Sequence, residues 1–363
     1  MIGCCGGSTP GFEDNALHFL NRAYGRQYGY YASSDYSHDG EVTVLQQATE
    51  GQGIDLVFVG EGYSDRLIAD GTYLADMRAG MEAVFHYEPY KSFRQLFNVY
   101  AVTAVSKNDQ FDPAYGTETI FGVNLSGANG LSCNKLYMVS EYALKAFGGD
   151  ENRLNHTGIT TIIHATSGRS VCYMGDPING SRSMAFCVNM SASYLEYVVG
   201  HEMGGHGFGG LGDEYVDAGV AAGRSLDAFR YDIAGMHERW YYMNLDAIKD
   251  PAAIAWSKFL SLPDYATSVG VYEGGYYFPS GVYRPSENSI MRGNGGFNAP
   301  SREAIYYKIH KMAYGDSWNY DFADFLRYDK INLANPAPGP WKQSDETPID
   351  IRELTAPPIL NWQ

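Results

Sequence analysis

Apolar and polar positions change rhythm several times along this chain. Glu41–Leu45 alternates like a strand with one face on a core, and Ile54–Val59 is an unbroken apolar run ending at Gly60, as in a strand buried on both faces. From Asp65 to His86 the spacing becomes helical, with Leu67, Leu74, Met77, Met81 and Val84 on one broad face. Asn98–Val105, Gly158–Ala165 and Met184–Met190 read as further strands, with a helix near Leu136–Phe147. Strands and helices interleaved in this way predict an α/β (α+β) fold with a mixed sheet. Past residue 215 the rhythm gives way to loops, with short helical pieces near Asp227–Ile233 and Ser301–Met312. The organisation expected is an irregular lead-in over 1–40, one domain over 41–334 and a tail over 335–363, whose six prolines predict an extended chain packed on the body.

Composition narrows what such a fold can do. The chain has 363 residues, 45% of them apolar, which supports a substantial core, and no apolar run approaches the ~18 residues of a membrane span. With 26 basic against 42 acidic side chains the net charge is −16, which argues against a nucleic-acid partner. The 42 glycines and 30 tyrosines suit long ordered loops packed by aromatic rings. Five cysteines without a CxxC pair argue against a cysteine-held structural zinc; Cys172 and Cys187 either bridge neighbouring strands or stay as buried thiols. Met1-Ile2-Gly3-Cys4 resembles the end of a bacterial lipoprotein signal. The expectation is an extracytoplasmic protein (secreted, periplasmic or a surface lipoprotein) whose export signal is missing from this chain, with Cys4 as the candidate lipid anchor.

The chemistry concentrates after Ser191, in SASYLEYVVGHEMGGHGFGGLGDEY. Ser193 with Glu196 forms a capping box, so a helix is expected from there, with Leu195, Val198 and Val199 on its apolar face. It runs into His201-Glu202-Met203-Gly204-Gly205-His206. In HExxH helices two histidines at i and i+4 face one zinc ion and the Glu handles a water. Here the spacing is i and i+5, which an ideal α-helix would splay by ~140°. A π-type widening at Met203–Gly205 would bring the two rings back to one side. Gly209 can then reverse the chain and deliver Asp213-Glu214, as metzincin-type sites deliver a third ligand after a glycine turn, though each interval here is one residue longer. Asp213, nearer and shorter, is expected as that ligand, with Glu214 pointing away to hold a histidine N–H; Tyr215 is expected to pack in the core, with reach to the site as the other reading. Ser289-Ile290-Met291-Arg292 resembles a methionine turn, which places Met291 beneath the metal.

Four blocks then carry a family resemblance: IDLVFVGEGYSD, EPYKSFRQLFNVYAV, HEMGGHGFGGLGDEY and RPSENSIMRGNGGFNAPSREAIYYKI. Over roughly residues 40–330 the chain resembles the IgA-peptidase family of zinc metalloendopeptidases, in particular its members from gut Bacteroidetes. The resemblance implies a zincin/metzincin-like catalytic domain, zinc as cofactor, His201 and His206 as ligands, and Glu202 as catalytic base. It also implies a protein or glycoprotein substrate. Many relatives carry an N-terminal β-sandwich and an export signal, and neither is expected within this chain. Two other readings stand beside the zinc endopeptidase: a non-catalytic glycoprotein- or peptide-binding module on the same scaffold, against which the retained Glu202 argues, and a zinc hydrolase acting on something other than protein.

Overall fold

Along Ile54–Glu61 the side chains divide strictly by parity: Ile54, Leu56 and Phe58 enter one apolar cluster, Val57 and Val59 another. A strand packed on both faces belongs at the middle of a covered sheet, and that is where it lies. The computed structural model describes residue 23 and residues 29–126, 130–293, 295–334 and 350–361. Its main sheet has seven strands: β1 (Val42–Gln46), β2 (Ile54–Glu61), β3 (Phe97–Val102), β4 (Gly158–Ile163), β5 (Val171–Met174), β6 (Ser183–Val188) and β7 (Ile359–Leu360). Their spatial order is β1-β3-β2-β4-β6-β5-β7. β3, β2, β4 and β6 are parallel, with Leu56 opposite Val99 and Gly158, and Ile162 opposite Cys187. β1 and β5 run antiparallel to their neighbours β3 and β6.

Helices cover both faces. α1 (Thr72–His86) brings Met77, Met81 and Val84 onto the face of Leu56, while α2 (Leu136–Lys145) sets Val139 and Ala143 against the face of Val57. The single helix expected over Asp65–His86 is two, because Gly71 adopts φ +87° and separates a short turn at Asp65–Ala69 from α1. Beside α1 lies α3 (Ala192–Val199), whose Leu195, Val198 and Val199 share its cluster.

The chain beyond residue 215 holds more regular structure than its sequence suggests: α4 (Leu226–Glu238), a hairpin of Tyr272–Gly275 with Phe278–Arg284, α5 (Ala299–Tyr314) and α6 (Phe322–Ala334). Aromatic rings do pack these loops. Trp256, Phe259, Tyr265, Tyr306 and Phe325 form a separate cluster, and Trp240 stacks on Tyr307 at 4.0 Å. Cys172 and Cys187 are buried free thiols, which settles the open pair. Cys4 and most of the lead-in lie outside the described residues, as do residues 335–349 of the tail. Among the described residues no helix is long and apolar enough to cross a membrane.

Candidate metal centre

The cap of α3 lies two residues before the expected one. Ser191, not Ser193, is the cap: its Oγ accepts the Tyr194 N–H, and Glu196 instead faces His86 at 3.3 Å. After Val199 the helix loosens. Gly200–Phe208 is a π-helix of nine residues, wider than the expected bulge at Met203–Gly205, and it closes with the Gly209 N–H donating to the Gly204 carbonyl. Bonding from i to i+5 stacks residues five apart, so an i+5 histidine pair that an α-helix would splay shares one side here. The rings of His201 and His206 lie 4.7 Å apart, centroid to centroid. Gly205 cannot be replaced without disturbing this segment, because a Cβ there would lie 2.3 Å from Met291 Sδ. Met291 is thus packed directly under the π-helix backbone, fully buried.

The chain then reverses at Gly210, whose φ is +65°. Tyr242 donates its N–H to the Gly210 carbonyl, and Leu211 donates to that of Gly205. The reversal swings Asp213 back over the histidines. Asp213 Oδ1 lies 3.2 Å from His201 Nε2 and 3.4 Å from His206 Nε2, and its Oδ2 accepts the Tyr277 hydroxyl at 2.5 Å. Glu202 is in the same buried group: one ligand atom each from His201, Glu202 and His206 lie within 4.8 Å of one another.

Proton placement decides what this group can be. His201 Nδ1 faces the Ile290 carbonyl at 3.0 Å and His206 Nδ1 the Leu211 carbonyl at 2.8 Å. A carbonyl only accepts, so each Nδ1 must carry the proton and a neutral ring presents a bare lone pair at Nε2. Burial favours that neutral form of His201. Asp213 accepts the Tyr277 hydroxyl at Oδ2, which leaves Oδ1 as the lone-pair atom turned to the two histidines. Three buried lone-pair atoms therefore converge, and none of them has a hydrogen-bond partner. Such a donor set is repulsive by itself and fits a cation between its members, with the two N and one O atoms that suit zinc.

Glu202 is chemically different. Burial pushes its carboxyl well above the usual range, the Asp213 charge adds to that, and Arg169 opposes it; neither carboxylate oxygen has a hydrogen-bond partner. The structure therefore brings together His201, Glu202, His206 and Asp213, with Met291 below. Tyr215 is adjacent, its ring edge-on to Tyr277 and its buried hydroxyl unpartnered. Glu214 does face away, but it holds no histidine, since backbone carbonyls have taken both Nδ1 protons. Its carboxylate accepts from Asn244, Asn298 and Ser289 at 2.9, 2.8 and 2.7 Å, and its N–H donates to the Met291 carbonyl. Glu214 pins the methionine turn to the segment that carries Asp213. Tyr277, Asn244, Asn298 and Arg169 escaped the sequence reading. The only local signal near them is Gly274-Gly275 before Tyr276-Tyr277, where both tyrosines take positive φ (47° and 73°).

A mixed sheet backing a helix that presents His-Glu-His from one side defines a zincin-like metallopeptidase domain. The family model for IgA Peptidase M64 matches residues 42–264 and 257–309, and the chain belongs to that family. No curated protein matches it.

Proposed function

We propose that this protein is a zinc-dependent endopeptidase, with His201, His206 and Asp213 holding the ion. The observation that carries this reading is the meeting of two histidine lone pairs and one carboxylate oxygen in a buried place without a proton donor. Zinc held by these residues would polarise the scissile carbonyl and lower the pKa of an attacking water. Glu202 would take the proton of that water and pass it to the leaving amine; both of its carboxylate oxygens are buried and free of protein partners. The Ile290 and Leu211 carbonyls fix the histidine tautomers, and Tyr277 fixes the Asp213 rotamer. Tyr215, whose buried hydroxyl has no hydrogen-bond partner, would donate to the carbonyl oxygen of a bound peptide.

The test is hydrolysis of casein or mucin, with metal analysis before and after a chelator. One zinc per chain is expected, with cleavage of internal peptide bonds that stops on chelation and returns with zinc. Cleavage by metal-free protein would refute the reading. Loss of glycan or amide groups with intact peptide bonds would move the protein to another hydrolase class.

A further inference from the structure

The centre is closed: His201, Glu202, His206 and Asp213 are all 0% exposed. If the site hydrolyses peptides, as proposed above, a segment must move before a scissile bond can reach Glu202. β5 shows which. It flanks the π-helix, with Cys172 Sγ close against Gly207, and its outer edge is taken by the C-terminal segment of the same chain. Ser170 donates to the Leu354 carbonyl (2.8 Å), Ala356 to that of Ser170 (2.7 Å) and Asn361 to that of Met174 (2.8 Å). Ile359 and Leu360 pair in parallel with Tyr173 and Met174.

Side chains fasten this segment beside Tyr215 and Arg169. Ile351 and Leu354 join the cluster that contains Cys172, Val198, Tyr215 and Met291. The Arg169 guanidinium binds the Thr355 carbonyl at 2.8 Å, and its charge also acts on Glu202 and Tyr215. On one side the segment borders a cavity of about 370 Å³, walled by Asp350–Arg352, Tyr215 and Arg292. On the other it borders one of about 490 Å³, walled by Pro358–Leu360, Arg224 and Tyr276. The segment thus lies along the outer edge of β5 between two cavities, one beside Tyr215 and one beside Tyr276. Its hold on that edge is also interrupted, because Pro357 and Pro358 have no N–H to donate between the two pairing points.

We infer that Asp350–Asn361 is an intrasteric inhibitor: it fills the strand edge on which an extended protein substrate would lie, and it must leave β5 for hydrolysis to begin. A free edge takes a peptide through main-chain hydrogen bonds, which recognise any extended chain.

The test inserts a site-specific protease sequence between Ala334 and Asp350, cuts the purified metal-loaded protein there, and removes the released segment. The probe is the fluorescein-labelled peptide DIRELTAPPILN, residues 350–361. It is expected to bind the stripped protein and not the uncut one, casein peptides should displace it, and the hydrolysis rate should rise at least ~10-fold. In the uncut chain Leu354→Glu, which puts a charge into the apolar contact, should raise the rate in the same direction with metal content unchanged. An unchanged rate after verified removal overturns the inference, as does labelled peptide that casein peptides cannot displace. If no form hydrolyses protein yet casein peptides displace the probe, the edge assignment stands and the peptidase reading falls.

Discussion

Within the helical half of the centre, Ser191–Phe208, backbone hydrogen bonds aim His201 and His206; within the looped half, from Gly209 to Asn298, side chains do the aiming. The helix turns two imidazoles to one side by its i+5 bonding and a bare Gly205, and the Ile290 and Leu211 carbonyls hold their Nδ1 protons. Asp213 is held by the Tyr277 hydroxyl, and its neighbour Glu214 by Asn244, Ser289 and Asn298, residues 30 to 84 positions away. The difference teaches where each half fails. The helical half fails where a ligand, a glycine or a buried core side chain such as Val198 or Met203 is changed, whereas the looped half depends on a buried polar network that is costly to leave partly satisfied.

The largest effect should come from the looped half. Asp213→Ala removes the carboxylate oxygen that lies 3.2 and 3.4 Å from the two Nε2 atoms, and two neutral imidazoles rarely hold zinc in a catalytic site without a third protein ligand. Bound zinc measured after dialysis should fall to background and activity with it; metal retained at one per chain would move the third ligand elsewhere. Next in size is Glu202→Gln in the helical half, which keeps shape and removes the base. Zinc should remain while turnover falls at least ~10²-fold, and near-native turnover would dismiss Glu202 as the proton carrier.

Glu214→Ala separates the halves most directly. It leaves the amides of Asn244 and Asn298 and the Ser289 hydroxyl without their acceptor in a buried place, a loss of about 3 kcal/mol or more. Zinc should still bind, about 10-fold more weakly, because Asp213 is displaced rather than deleted. Denaturant melts and zinc titration of the same sample check both numbers. Zinc lost completely in this variant and kept in Asp213→Ala would exchange the roles of the two acids.

The helical half was the legible one. His201, Glu202 and His206 stand in one hexapeptide, and the conflict between i+5 spacing and α-helical geometry points to the widening by itself. Its cap was misplaced because Ser191 and Ser193 offer the same chemistry and only the strand exit after Val188 selects between them. β2 was legible because burial on both faces leaves a continuous apolar run. β5 and β7 were not: four residues and two residues are too short for a period, and β7 follows two prolines. Of the looped half, glycines announced the turn to Asp213, but no periodicity records that Tyr277 or Asn298 will arrive from far along the chain.

Between the halves lies a buried lysine, and it carries the smallest prediction. Lys308 on α5 is 2% exposed, its Nζ sits against Gly210 where the chain reverses, and its polar partner is the face of the Tyr241 ring, 3.5 Å from the centroid. Nζ has no hydrogen-bond partner. Burial pushes the amine down to about 7, with the Asp176 charge opposing and Arg239 adding to the fall. An unfolded lysine titrates near ~10.4, so between about 7 and ~10 the unfolded chain holds a proton that the folded chain lacks. Stability must then rise with pH across that window, and the cost of burying the charge is greatest below it. Lys308→Met keeps the packing against Tyr241 and removes the charge. It should raise the melting temperature by about 2 °C near neutral pH, with the gap closing as pH approaches ~10. An equal gap near pH ~6.5 and ~9.5 would mean that packing and not charge is responsible. A fall in melting temperature at both would show that the ammonium–ring contact holds the Gly210 turn in place, and with it the junction between the two halves of the centre.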